Sequence, residues 1–268
     1  MAMDLSAIKS KLNALQNQRQ GGGQKRDMSL ILWKPSIGKH SVRIVPSVYD
    51  KSNPFKEVFV HYGIGNRTMI SLANFGEKDP IVEFAKQLRQ TSDKDNWSLA
   101  KKLEPKMRVF APVVVRGEEE KGVRLWEFGK QVYQELLSIA DDPDVGDYTD
   151  PIQGRDITIE TTGPETNGTS FNQSKVRVRT KITALSESAD EVQKWLNTQP
   201  EPFSIFKKYS YDEMKESLLG WLNPETEEPA APAAEAKVEE KEQPAAFALN
   251  TPKKSVDDEF DALFKSPF

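Results

Sequence analysis

Lys175, Arg177, Arg179 and Lys181 alternate with Val176, Val178 and Ile182. In a strand, successive side chains point to opposite faces. The spacing therefore predicts four cations in a row on one face and the apolar residues on the other. Cations in a row repel one another unless carboxylates pair with them or an anion lies along them. A phosphate backbone is a repeating anion of that kind. A solvated strand whose cations pair with acidic neighbours is the other reading, and this strand alone leaves both open. Lys101, Lys102, Lys106, Arg108, Arg116, Lys121, Arg124 and Lys130 make a second basic stretch, interleaved with Trp97, Phe110, Trp126, Phe128 and Tyr133. Single-stranded nucleic acid calls for this mixture: cations meet phosphates, and a base stacked on a flat ring is worth roughly 1–3 kcal/mol whatever the base. Phe110 and Phe128 lie in alternating apolar runs and are the core candidates among these rings. Trp97 follows a charged run and is expected at the surface.

Other chemistry has little support. The chain has no cysteine, which excludes disulfides, a thiol nucleophile and thiolate metal ligands. Two histidines, His40 and His61, leave little for imidazole catalysis or zinc. No phosphate-binding Walker loop, HExxH or GxSxG pattern occurs, and Gly63 and Gly65 begin a glycine motif that no third glycine completes. Asp141, Asp142, Asp144, Asp147 and Asp150 could attract a divalent cation, as a metal-dependent nuclease would need. They fail as a calcium loop, because Gly146 is displaced and Gln153 stands where a bidentate Glu belongs. They read as a polar loop after a helix. No catalytic residue is assigned, and neither a metal nor a cofactor is expected.

The elements that must position these residues can be read in outline. Short strands are expected around Val42–Val45, Val58–Tyr62, Met107–Val115, Val123–Phe128, Ile157–Ile159 and Val176–Ile182. Pro112 argues that its strand is an edge or carries a bulge. The Gly117–Gly122 turn predicts a hairpin between the third and fourth strands, and the polar loop 162–174 joins the last two. Helical spacing marks Ile81, Phe84, Ala85 and Leu88 after Asp79-Pro80; Val132, Leu136, Leu137 and Ile139; Val192, Trp195 and Leu196; and Met214, Leu218, Leu219 and Trp221. Strands outnumber helices, so the class is mainly β with added helices, α+β.

The ends differ from this body. Of 268 residues, 37% are hydrophobic and 29% charged, which leaves length for a sizeable core with part of the chain unpacked. Residues 1–26 hold five basic residues and one acidic, and residues 224–268 hold eleven acidic and five basic. A basic arm and an acidic tail thus flank a near-neutral core of residues 27–223. In the arm, Leu5, Ile8, Leu12 and Leu15 form one helical stripe, ended by Gly21–Gly23; a stripe this short must fold onto the core or dock on another molecule. Residues 224–256 have a linker composition of Pro, Ala, Glu and Lys. The tip that follows alternates Asp257, Asp258 and Glu259 with Phe260, Leu263, Phe264 and Phe268, a pattern suited to a partner's pocket. No signal-peptide apolar stretch is seen, and no apolar run reaches the roughly 18 residues of a membrane span, so a soluble, cytoplasmic protein without membrane contact is expected.

Six strings together resemble one known family: VRIVPS at Val42–Ser47, VHYG at Val60–Gly63, WSLAKK at Trp97–Lys102, VVVRG at Val113–Gly117, RLWEFGKQVYQELL at Arg124–Leu137 and SFNQSKV at Ser170–Val176. In order and spacing they are similar to the single-stranded DNA-binding, helix-destabilising replication proteins of T-even-type bacteriophages, over about residues 1–223. The resemblance implies an OB-fold core with a basic, aromatic-lined cleft that binds single-stranded DNA without sequence preference in phage replication, recombination and repair. It also implies an N-terminal arm for cooperative self-association along the strand and an acidic tail that contacts replication and recombination proteins. By position it makes Arg43 a phosphate contact, sets Trp97, Trp126 and Phe171 at cleft aromatics, and sets Lys101 and Lys102 at basic cleft positions. Arg108, Arg116, Arg124, Lys175 and Arg177 join them from the basic stretches. Leu5, Ile8, Leu12 and Leu15 are the self-association candidates; Asp257, Asp258, Phe260, Phe264 and Phe268 are the partner-binding candidates. An adaptor of the replication machinery that gathers proteins is the alternative.

Two features depart from the family pattern. His61 stands where the family has a zinc-binding histidine, but the three cysteines are missing, and Ile81, Val82 and Phe84 are expected to replace the metal by apolar packing. The family's basic, hydroxyl-containing arm motif has only partial stand-ins, Lys9-Ser10-Lys11 and Lys25-Arg26. The Pro267-Phe268 ending is similar to the tips of bacterial single-stranded DNA-binding proteins. The acidic stretch is expected to compete with phosphate for the cleft, so that removing residues 224–268 tightens DNA binding at low salt.

Overall fold

The computed structural model describes residues 28–223 together with Phe260, Leu263 and Phe264. The candidates Leu5, Ile8, Leu12, Leu15, Asp257, Asp258 and Phe268 lie outside the described residues, as do the two stand-ins for the arm motif.

Eight strands form one mixed sheet: β1 (Leu32–Trp33), β2 (Gly38–Ile44), β3 (Lys56–Ile64), β4 (Arg67–Ile70), β5 (Lys106–Val115), β6 (Arg124–Phe128), β7 (Arg155–Thr162) and β8 (Gln173–Ile182). The order is β1-β6-β5-β2-β7-β8, with β3 also paired to β5 and β4 to β3. Only the short β1–β6 pair is parallel. Among the described residues 28–223 six α-helices are added: α1 (Pro80–Gln90), α2 (Lys94–Leu103), α3 (Lys130–Ala140), the single turn α4 (Pro164–Asn167), α5 (Ala189–Asn197) and α6 (Tyr211–Leu222). The α+β class expected from the sequence is the one observed.

β5 is the keystone, and here the structure corrects the reading of Pro112. The strand lies inside the sheet, with β6 on one side and two partners in succession on the other. β3 pairs with it from Lys106 to Phe110, and β2 from Val113 to Val115. Pro112 falls in the gap between those partners. Its carbonyl accepts from Val45 N–H at 2.9 Å. The missing N–H would point to the same side, where no ladder partner stands, so the proline costs the sheet little.

Alternation along the strands builds the main core. Val42, Ile44, Val109, Ala111, Val113, Trp126, Phe128, Ile157 and Ile159 share one face and are covered by Val132, Tyr133 and Leu136 of α3. A second core belongs to a helical lobe, in which Ile81, Phe84 and Leu88 of α1 meet Leu99 and Leu103 of α2 and Met214 and Leu218 of α6. α1 starts where Asp79 caps the free N–H groups of Ile81 and Val82, with Pro80 in its first turn. α2 was not expected from the sequence. Asp93 caps it, and Leu99, Ala100 and Leu103 form its buried face.

Candidate nucleic-acid interface

The registers decide which face each basic residue occupies. Lys175 and Arg177 of β8 lie opposite Glu160 and Thr158 of β7, which lie opposite Lys39 and Ser41 of β2. Arg43, two residues further along β2, lies opposite Val114 of β5. Arg108 and Lys106 fall on that same face of β5, opposite Val58 and Val60 of β3. One face of the sheet therefore carries Lys39, Lys175, Arg177, Arg179, Lys106 and Arg108, while the opposite face is the main core. Between the two ends of this basic face, Val114 and Phe110 are covered by Leu185, Trp195 and Phe206.

At one end stands the β8 row. Lys175, Arg177, Arg179 and Lys181 are all exposed. Among the described residues none of the four has an ion-pair partner, the nearest carboxylate in register being Glu160, which lies 3.6 Å from Lys39. Alternate cations on a strand stand about 6.6–6.8 Å apart, a spacing that an extended phosphodiester can follow. The expected apolar face stops at Val178. The register slips between Val178 and Ile182, and Ile182 is exposed rather than packed with Val176 and Val178. Phe171 precedes the row and is 62% exposed. Its carbonyl accepts from Asn167 Nδ2 at 3.0 Å and Thr169 Oγ1 at 2.8 Å, which fixes the loop that presents the ring.

At the other end, α1, α2, β3 and β5 meet. Trp97 of α2 is 54% exposed, with the Arg89 guanidinium 5.6 Å from its ring. Lys101 lies one helical turn beyond Trp97 on the same side, and its carbonyl accepts from Lys106 Nζ at 3.4 Å. Lys102 is exposed beside it. Arg108 donates to Tyr62 Oη at 3.2 Å, its guanidinium 5.5 Å from that ring, and lies 3.5 Å from Glu127. Tyr62 and Arg89 were not singled out from the sequence. The signal for Tyr62 was its place in the alternation of β3, on the strand that pairs with Arg108.

Four residues expected at the interface are placed elsewhere. Trp126 is 1% exposed and packs against Phe128 and Trp33, because Ala111, its partner across β5, belongs to the core face. No base can reach its ring. Arg124 shares that parity; it is buried, and its Nη2 donates to Glu118 at 2.7 Å. Lys121 and Arg124 together hold the Glu118 carboxyl below the usual range. Arg43 is fully buried. Its Nη1 donates to Asp156 Oδ1 and Thr183 Oγ1, both at 3.2 Å, and its Nη2 to the Thr183 carbonyl. Arg116 donates to the same Asp156 oxygen at 2.9 and 3.1 Å, and to the Leu185 carbonyl at 2.9 Å. Burial drives the Arg43 pKa down, and Asp156 opposes that shift. One carboxylate thus ties β2, the end of β5 and the chain after β8 together. Arg43 and Arg116 are joined by that structural contact; Arg43 offers no open guanidinium, and Arg116, partly exposed, is held by Asp156 and by the Leu185 carbonyl.

Three of the five aspartates of residues 141–150 are also committed locally. Asp142, Asp147 and Asp150 accept from backbone N–H groups two or three residues ahead, closing turns. Among the described residues no group of three or more His, Asp or Glu is placed to hold a metal.

The model of the gp32-like DNA-binding protein family matches residues 37–218. The chain belongs to that family. It is a DNA-binding protein, and a search of curated proteins returns no match. No helix among the described residues is long and apolar enough to cross a membrane.

In this gp32-like chain, the residues around His61 do not fit a zinc site. Both ring nitrogens are engaged: Nδ1 donates to the Leu103 carbonyl at 2.9 Å, and Nε2 lies 3.1 Å from Asp79 Oδ2. The same Asp79 oxygen accepts from Ser71 Oγ at 2.6 Å and Leu72 N–H at 3.0 Å, while Oδ1 caps α1. Burial raises the Asp79 pKa, but His61, Ser71 and the helix N–H groups outweigh it and hold the carboxyl below its ordinary value. The apolar replacement expected from the sequence is therefore incomplete. Ile81 and Phe84 do pack in the lobe, but a polar hub joins β3, the Ser71 turn, α1 and the end of α2.

Proposed function

We propose that the protein coats single-stranded DNA without regard to sequence during phage DNA replication, recombination and repair. The β8 row and Lys39 bind phosphates at one end of the basic face; Lys101, Lys102, Lys106 and Arg108 bind them at the other. Trp97, Phe171 and Tyr62 offer faces to unpaired bases. The observation that carries this reading is the row Lys175, Arg177, Arg179, Lys181, exposed and without carboxylate partners among the described residues. Aromatic stacking and phosphate neutralisation are sequence-tolerant, so affinity varies little with base composition. The arm of residues 1–26 adds cooperative self-association, and the acidic tip recruits replication proteins.

A fluorescence titration with oligo-dT of several lengths, repeated over a salt series, tests the core of this proposal. For single strands the log–log salt slope is about −0.7 per phosphate neutralised. Replacing Lys175, Arg177 and Arg179 together by Ala flattens it by about 2. An unchanged slope rules the row out. Parallel titrations with duplex DNA and single-stranded RNA define which nucleic acid is preferred.

A further inference from the structure

Phe260, Leu263 and Phe264 are helical, and Phe260 and Phe264 lie against the helical lobe. Phe260 is 3% exposed and meets Phe84 of α1 edge-on, with ring centroids 5.6 Å apart. Phe264 stacks on Phe260 at 4.7 Å, lies 6.5 Å from Tyr211 of α6, and has Lys215 Nζ 4.6 Å from its ring centroid. Residues four apart share one face of a helix, so the two phenylalanines are the paired anchors of a helix-in-groove contact. The acidic residues around them, Asp258, Glu259 and Asp261, suit a groove edged by Lys215.

We propose that α1 and α6 form a docking groove for a short acidic helix carrying Phe at i and i+4, and that its resident anchors are the chain's own Phe260 and Phe264. The thirty-six residues 224–259 join the end of α6 to Phe260, far more chain than a return to the same helix requires. The consequence is competition. Phe260 and Phe264 cannot serve a partner protein while they fill this groove, so a partner takes the tip from the groove rather than from solvent. The inference stands apart from the nucleic-acid reading, because it rests on α1, α6 and the tip alone.

The test uses a fluorescent peptide of residues 255–268 and the full-length chain. A tethered tip competes at an effective concentration of about 1 mM, so the peptide binds the Phe260→Ala/Phe264→Ala chain at least ~10-fold more tightly than the parent. The peptide carrying the same two alanines binds neither chain, and Lys215→Glu in the vacated chain weakens the parent peptide. If the double variant fails to fold, Phe264→Ala alone keeps the buried Phe260 anchor and shifts affinity in the same direction. Equal peptide affinity for parent and variant, or no binding to a folded variant, overturns the proposal. So does concentration-dependent association of the parent that the double substitution abolishes, because the groove then belongs to a second copy's tail.

Discussion

Arg43 separates two accounts of the basic residues, and Asp156 is the lever that tests them. Two guanidiniums share one carboxylate oxygen, at 3.2 Å from Arg43 and 2.9 Å from Arg116, and the Arg43 side chain is wholly buried. Asp156→Asn keeps the shape and an acceptor but removes the charge. Breaking a buried ion pair from one side costs about 3–5 kcal/mol, because the remaining charge stays buried without compensation. In a domain of this size about 1 kcal/mol moves the thermal midpoint by 2–4 °C, so the variant melts about 6–20 °C below the parent. Arg43→Met is the companion. It leaves Asp156 paired with Arg116 and fills the site with an apolar chain of similar length, so its stability loss is the smaller of the two. Scanning calorimetry measures both, and the oligo-dT salt series runs alongside. A buried tie predicts that Arg43→Met leaves the salt slope unchanged. If Asp156→Asn melts within 2 °C of the parent and Arg43→Met flattens the slope by about 0.7, Arg43 reaches phosphate and the argument from burial fails.

The remaining predictions follow from the same geometry. Trp126→Ala opens a cavity in the main core and costs about 3–5 kcal/mol of stability, measured by urea unfolding. Trp97→Ala leaves unfolding nearly unchanged and weakens oligo-dT binding by about 1–3 kcal/mol, roughly 5- to 150-fold. Asp79→Ala removes a helix cap and leaves the buried donors of Ser71 and Leu72 without their acceptor, lowering stability by about 1–3 kcal/mol. The folded-state pKa of Asp79 lies below its unfolded value, so the carboxylate's contribution is complete above about pH 4. It is lost as pH falls through the folded value, and acid unfolding followed by circular dichroism becomes shallower in Asp79→Asn. Changing Asp257, Asp258, Glu259 and Asp261 to amides while keeping Phe260 and Phe264 tightens DNA binding at low salt; an unchanged affinity dissociates the tail's charge from the basic face.

Six of the eight strands and four of the helices were legible because alternation and helical spacing report burial directly, as at Ile157–Ile159 and Phe84–Leu88; β1 and β4, two and four residues long, and the single turn α4 were not expected, being too short to show a period. α2 was missed because its first turn, Lys94 to Trp97, is polar or exposed and only its second half carries the apolar face. Pro112 was misplaced because a change of partner along one strand leaves no mark in the sequence. Ile182 was misplaced by the register slip after Val178, which the sequence does not announce.

The site residues divide along a physical line. Lys175, Arg177 and Arg179 were assigned from alternation within one strand, and that property survives folding whatever the strand pairs with. Arg43, Arg124 and Trp126 were assigned from family position and local company, and their availability depends on partners distant in the chain. Asp156 lies 113 residues from Arg43, and Ala111 sets the face of Trp126 from across the hairpin. A cation's chemistry can be read from its type, but its freedom to meet a phosphate depends on whether a carboxylate reaches it first. In this fold Asp156 and Glu118 claim Arg43 and Arg124, and among the described residues no carboxylate pairs with Lys175, Arg177, Arg179 or Lys181 of β8.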